Sequence, residues 1–431
     1  MADRTILIRN LAQVATPCGV DARRGRAMRD LAVIPRAAMA IRDGRFVWVG
    51  PESDVPSELR ASCDEFDGRG GTAIPGFVDS HTHLPFAGAR ESEFNRRIEG
   101  ESYSSIAASG GGIASTVRAT RSASEAELAS LVAGRVRTMA RHGTTTAEAK
   151  SGYGLNLDDE LKQLRAIRAA SADSPVRLVP TCLAAHEFPP DRPRDDSSRE
   201  EYVNEIVSKI MPAVAAEKLA RFCDVFVEEG VFTRDEGRRI LEAGVGLGML
   251  PRIHADELSD TDGAALAAEL GCASADHLMY VSDRGIRALA ASGTVANLLP
   301  GTSFFLMSDR YAPARAMIEQ GAIVSLSTDC NPGSSMTESM QVVVQLAVLR
   351  MKMTVEEALT AATLNGAFSL GLATETGSLE AGKRADFAIL DAPSYFHLVY
   401  HYGVNLVASV WRDGVDVLRA QDSKSASQSF S

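Results

Sequence analysis

At 431 residues, 45% of them hydrophobic and 23% charged, the chain exceeds the roughly 250–300 residues one core supports, so a large domain plus a smaller one is expected. A net charge of −11 without blocks of like charge argues against nucleic acid or an anionic membrane surface as a partner. No apolar run nears the ~18 residues of a membrane span, MADRTILIRNL lacks a signal-peptide core, and the scattered cysteines (Cys18, Cys63, Cys182, Cys223, Cys272, Cys330) fit reduced thiols, so a cytoplasmic protein is expected.

Taken in chain order, residues 5–10 and 38–50 read as strands, with Asp43-Gly44 as a hairpin turn. Short runs rich in Val, Ile and Thr follow at 74–80, 144–149, 177–184, 223–228, 251–255, 273–278, 294–299 and 322–328. Amphipathic segments separate them, such as 124–141 with Leu128, Leu131, Val132, Val136 and Met139 on one face. Ser124 with Glu127, Thr233 with Glu236 and Thr354 with Glu357 read as capping boxes, and Gly143, Gly271, Gly293 and Gly321 as helix ends. Strand and helix alternating eight times predict a parallel (β/α)8 barrel, because parallel strands need helical crossovers. A doubly wound open sheet is the alternative from this pattern alone. Residues 386–391 and 407–418, with the turn Asp413-Gly414, read as strands again. Two all-β ends of similar character most economically share one small β-sandwich, 1–73 with 376–420, around a barrel at 74–375. The polar tail 421–431, QDSKSASQSFS, is expected to be disordered.

The chemistry of such a barrel lies where its strands end. FVDSHTH (77–83) places His81 and His83 one residue apart, and alternating side-chain direction in a strand turns both imidazoles to one side. RIHADE places His254 at another strand end with Glu257 three residues on; SADH supplies His277, the third strand His186, and SLSTD Asp329. Five of eight histidines thus fall at one predicted face, whereas His142, His397 and His401 do not and carry no assigned role. His81, His83, His254 and Asp329 form a three-nitrogen, one-oxygen ligand set suited to Zn²⁺ or another borderline divalent ion, which would make a bound water acidic enough for hydrolysis. Gly110-Gly111-Gly112 reads as a flexible part of a long loop at 84–123, with no phosphate-binding context.

These residues together resemble the metal-dependent amidohydrolase superfamily, and within it the imidazolonepropionase family. The likeness runs through HLPFAGARESEF (83–94), GGGIASTVRATR (110–121), EAKSGYGL (148–155), PTCLAAHEFP (180–189), FCDVFVEEGVF (222–232), IHADEL (253–258), SADHL (274–278) and TDCNPGSS (328–335). It implies a distorted (β/α)8 barrel with a β-sandwich built from both chain ends. The implied activity is hydrolysis of 4-imidazolone-5-propanoate to N-formimino-L-glutamate in histidine degradation; another cyclic amidohydrolase or deaminase of the superfamily is the alternative. By the same resemblance one Zn²⁺ or iron ion is bound per chain. Arg90, Tyr153 and His186 contact substrate, Glu257 orients or deprotonates the attacking water, and His277 stabilises the oxyanion. Asn331, Gly333 and Ser334 line the pocket. FVEEG offers Glu228 and Glu229 but no lysine to bridge a second metal, so one ion is expected. The expected partners are a small-molecule substrate and, at most, a second copy of the chain in a homodimer.

Overall fold

The structure, a computed structural model, describes residues 5–61, 63–101 and 111–420. The chain begins with five strands: β1 (Thr5–Thr16), β2 (Ala32–Arg42), β3 (Arg45–Pro51), β4 (Cys63–Asp67) and β5 (Thr72–Pro75). Next come β6 (Phe77–Asp79), β7 (Thr144–Lys150), β8 (Arg177–Ala185), β9 (Phe222–Val227) and β10 (Leu250–Pro251). They are followed by β11 (Ile253–Ala255), β12 (Ser274–His277), β13 (Val295–Leu298) and β14 (Ile323–Leu326). β15 (Phe387–Leu390), β16 (Val407–Arg412) and β17 (Val415–Asp416) close the list of strands among the described residues.

Eight of these strands form a parallel sheet in the order β14-β13-β12-β11-β9-β8-β7-β6, with β10 on the side of β9. The sheet nearly closes on itself. Thr82 pairs in parallel with Cys330, Asp329 N donates to His81 O at 3.1 Å, and His83 N donates to Cys330 O at 3.0 Å. Helices such as Glu125–Arg141, Leu157–Ser171 and Arg234–Gly246 cover the outside. All three predicted capping boxes form. Gly143, Gly271 and Gly321 adopt positive φ after their helices, but Gly293 does not: the helix Asp283–Ala291 ends in extended backbone at Ser292. On the helix Glu125–Arg141, Leu128, Val132, Val136 and Met139 are buried as the periodicity requires, while Leu131 at the edge of that face stays 38% exposed.

The two chain ends make one separate, mostly antiparallel sheet, β17-β16-β15-β5-β1-β2-β3, with β4 beside β1. Ile8, Met39, Phe46, Phe387 and Trp411 share its core. Asp43-Gly44 and Asp413-Gly414 both adopt the paired positive φ of tight hairpins. β4 was absent from the sequence reading because CDEFD carries three acids and only half-buried alternation.

Two expected elements differ. The run 74–80 is not one strand: β5 belongs to the small sheet and β6 to the barrel, with Gly76 alone between them. A run apolar on both parities suits either sheet, so periodicity could not place the break. The segment 84–123 is not simply a loop either, since it contains the helices Glu91–Ile98 and Ile113–Ser122. Glu91–Ile98 buries no residue, so it lacked the apolar stripe by which helices are read. Gly112 stands at the start of the second helix with φ 72 and donates to Glu93, while Gly110 and the tail 421–431 lie outside the described residues.

A side chain at Gly76 has no room, because a Cβ there would lie 2.3 Å from Thr145. Gly76→Ala is expected to cost about 1–3 kcal/mol, the usual range for overpacking, seen as a lower urea midpoint; an unchanged midpoint would show that the joint between the sheets yields freely.

Candidate metal centre and substrate pocket

The seam that closes the barrel also builds the centre. His81 and His83 follow β6 and Asp329 follows β14, and the backbone pairing across the seam fixes all three. His81 Nε2 and His83 Nε2 lie 3.3 Å apart, and Asp329 Oδ1 is 3.4 Å from each. The other carboxylate oxygen accepts from Thr302 at 2.7 Å and Ser334 at 3.3 Å, which turns Oδ1 toward the histidines. His254, within β11, brings its ring centroid to 4.5 Å from that of His81. Asp329 and His277 are both non-glycine residues at positive φ, 55 and 79, a backbone conformation that functional sites tolerate more often than ordinary strands do.

The tautomers follow from what lies beneath. His81 Nδ1 donates to Asp276 Oδ2 at 2.7 Å, and His254 Nδ1 donates to Asp224 at 3.1 Å. Both carboxylates are fully buried, which opposes their charge. Arg252, His81 and Lys150 nevertheless hold Asp276 well below the ordinary carboxylate range, and Lys150 and His254 do the same for Asp224. Ionised, they can only accept, so Nδ1 of His81 and of His254 carries a proton and only Nε2 is left to take a second proton or a metal ion. His254 Nε2 is buried without a hydrogen-bond partner among the described residues. Burial and Lys150 disfavour a proton on His81, yet Asp276 and Asp329 outweigh them and raise it to about 9. Inward-facing lone pairs beside a carboxylate oxygen call for a positive charge, which a divalent ion supplies in place of that proton. The donor set therefore fits a metal. Ligand atoms fall within 4.8 Å in three overlapping groups: His81, His83 and Asp329; His81, His254 and His277; His83, His186 and His254. The four residues of the expected set are spread over these groups, which add His186 and His277.

Above the cluster opens a cavity of about 540 Å³. Arg90, Tyr153, His186, Glu257, His277, Asn331, Gly333 and Ser334 all line it, as do His83, His254 and Asp329, whereas His81 does not. Glu257 Oε2 lies 3.5 Å from His277 Nε2. Burial first, then the Asp329 and Glu228 carboxylates, raise Glu257 to about 8, while burial pushes His277 down to about 4, leaving a neutral ring. Arg90 donates from Nε to Glu93 at 2.8 Å. Asn331 builds the turn beyond Asp329: its Oδ1 accepts from Gly333 N and Ser334 N, both at 2.8 Å. Glu228 is turned elsewhere, accepting from Leu258 N at 2.8 Å and so bracing the segment that carries Glu257.

Five wall residues escaped the sequence reading: Arg97, Ile113, Phe226, Leu258 and Leu306. Arg97 donates to Gly333 O at 3.2 Å. It stands seven positions after Arg90, two helical turns, so a helix at 91–98 would have put both guanidinium groups on one side. Of the apolar four, Ile113 opens the helix Ile113–Ser122, Phe226 lies in β9, and Leu258 and Leu306 lie in the connections after β11 and β13, so no common spacing marks them.

A profile of the amidohydrolase family matches residues 72–417. The imidazolonepropionase of Symbiobacterium thermophilum is 52% identical over 412 residues, covering 95% of this chain and 96% of that protein. That of Porphyromonas gingivalis is 47% identical over 414 residues, 95% and 96% of the two chains. Among solved structures, a 5-methylcytosine deaminase from Klebsiella pneumoniae superimposes with a TM-score of 0.70 at 19% identity, covering 95% of this chain and 97% of its own. A zinc-bound adenosine deaminase from Xanthomonas campestris gives 0.67 at 19%, covering 95% and 92%. At such identities these two speak for the fold alone.

Outer partners of metal-binding histidines typically contribute a factor of about 10–100 in metal affinity. Asp276→Asn keeps the shape but removes the charge that fixes the His81 tautomer, so zinc affinity measured by chelator competition should fall by about that factor. Unchanged affinity would place His81 outside the ligand set.

Proposed function

We propose that this chain, which belongs to the amidohydrolase family and within it to the imidazolonepropionases, hydrolyses 4-imidazolone-5-propanoate to N-formimino-L-glutamate in histidine degradation. It is a hydrolase of C–N bonds in cyclic amides. The observation that carries the substrate assignment is the pocket: one cavity lined both by His83, His254 and Asp329 and by Arg90, in a chain half identical over nearly its whole length to an imidazolonepropionase.

We assign one zinc or iron ion to His81, His83, His254 and Asp329, which would hold it and where it would supply Lewis acidity to a bound water. The remaining steps belong to the chain. Arg90 offers the propionate a planar, permanently charged fork, and Tyr153 and His186 border the ring. Glu257, with a proton affinity near neutrality, takes a proton from the attacking water and returns it to the ring nitrogen as the amide C–N bond breaks. His277, neutral and 3.5 Å from Glu257, donates to the carbonyl oxygen as negative charge develops there. Water thus adds to the carbonyl carbon, the ring opens, and the product keeps the carbon and nitrogen of the formimino group. Among the described residues no helix is long and apolar enough to cross a membrane. The six cysteines are all unpaired, which supports our reading of a reducing, cytoplasmic location.

The direct test is the loss of ultraviolet absorbance of 4-imidazolone-5-propanoate with protein of known metal content; no ring opening by the metal-replete protein would refute the assignment. Two variants divide the mechanism. Glu257→Gln should lower kcat by about 10²–10⁴, the usual contribution of a general base, with metal retained; an unchanged kcat moves that role to Asp329 or His277. Arg90→Met should lower kcat/KM by about 10- to 150-fold, matching the roughly 1.5–3 kcal/mol of a hydrogen bond to a charged group. It should scarcely affect an imidazolone analogue without the carboxylate, and equal slowing of both substrates would show that Arg90 does not read it.

A further inference from the structure

The loop that carries Tyr153 is held by two side chains that do not line the cavity. Glu160 and Gln163 lie on the helix Leu157–Ser171, and both are fully buried. Gly152 N donates to Glu160 Oε2 at 3.1 Å, and Gly154 N and Leu155 N donate to Oε1 at 2.8 Å each. Tyr153 N donates to Gln163 Oε1 at 3.1 Å, and Gln163 Nε2 donates to Pro85 O at 2.7 Å, just beyond His83. Four successive backbone N–H groups, 152 to 155, are thereby bound by one helix face. Gly152 takes φ +114, and a Cβ on Gly154 would lie 2.5 Å from Glu160 N, so the wrap around the carboxylate requires these glycines.

The wrap has a chemical output. The peptide unit between Gly152 and Tyr153, its N–H tied to Gln163 and the units on either side of it tied to Glu160, presents the Gly152 carbonyl to His186 Nδ1 at 3.0 Å. A carbonyl only accepts, so the proton of His186 is on Nδ1 and its Nε2 carries a lone pair. Burying a carboxylate costs several kcal/mol unless its hydrogen bonds are made, and here they are made wholly by this one loop. We propose that Glu160 and Gln163 are positioning residues for substrate recognition: Gln163 holds the peptide between Gly152 and Tyr153, Glu160 holds the peptides on either side of it, and together they set the His186 tautomer and the place of Tyr153. The proposal rests on the reading that Tyr153 and His186 meet the substrate.

Glu160→Gln replaces one acceptor oxygen by an NH₂ group that faces backbone donors, so the peptides flanking the Gly152–Tyr153 unit must turn and shift the Gly152 carbonyl with them. Gln163→Met removes the acceptor of Tyr153 N with little change of volume. In protein labelled with ¹⁵N-histidine, the His186 signals, assigned with His186→Gln, should show a proton on Nδ1 in the parent and a mixture of tautomers in both Gln163→Met and Glu160→Gln. KM for 4-imidazolone-5-propanoate should rise about tenfold in both variants, with zinc content unchanged and kcat within about threefold, since the loss is one of binding shared by ground and transition states. A parent His186 protonated on Nε2 overturns the proposal, even if Glu160→Gln does not fold. Unchanged tautomer and KM in folded variants overturn it as well. If the parent protein opens no imidazolone ring, the substrate reading fails, while the tautomer measurement still decides the role of Glu160.

Discussion

Lys150 sets a full positive charge inside the barrel, 2.6 Å from Asp224 and 2.9 Å from Glu148, with no exposure to water. Arg252, equally buried, stands 3.2 Å from Glu148 and 3.5 Å from Asp276. Charges so placed are tolerable only in company, and removing one member of such a set typically costs about 3–5 kcal/mol. The set stands directly under the centre. Because the two cations keep Asp224 and Asp276 ionised, those carboxylates demand the Nδ1 protons of His254 and His81, and Nε2 of each ring is the nitrogen left for a positively charged partner. The donor set is therefore prepared from below, by electrostatics in the barrel interior, before anything enters from above.

The same arrangement explains what sequence could and could not show. His81, His83, His254, His277 and Asp329 were legible because a barrel delivers strand ends to one face, and histidine is rare enough there to stand out. Their supports were not. Glu148, Lys150, Asp224 and Asp276 sit within or at the end of strands and look, as letters, like ordinary polar punctuation in TTTAEAK, FCDVFV and SADH. Only knowing that those strands are buried on both faces turns each charge into one that needs a partner. Arg252 carries the same lesson between β10 and β11: it is among the largest fully buried side chains of the protein.

Substrate-side residues fall into two kinds. Tyr153, Asn331, Gly333 and Ser334 lie in tight turns whose glycine and asparagine content marks them in sequence, and the structure shows the turn chemistry and the cavity wall to be the same residues. Arg97 and the apolar wall residues come from four separate places, the helices after β6, the connections after β11 and β13, and β9 itself, and no apolar periodicity links them. Metal ligation thus follows from barrel topology, whereas the shape of the substrate site follows from how individual segments are tied, as Asn331 ties the turn after Asp329 and Glu228 braces the one after His254.

The junction at Gly76 bears on how the chain is made. β5 pairs with β1 on one side and with β15 on the other, so Ile74 meets Ala388 across the entire length of the barrel sequence. During synthesis the N-terminal strands emerge complete in hydrophobic pattern but with the β5 edge unpaired, and β15 is translated only after the last barrel strand. Because Gly76 leaves no slack between β5 and β6, the barrel cannot close without carrying that open edge to the place where β15 will arrive. Assembly of the small sheet is in this way timed by the barrel, and the exposed edge is covered only once β15 has been made.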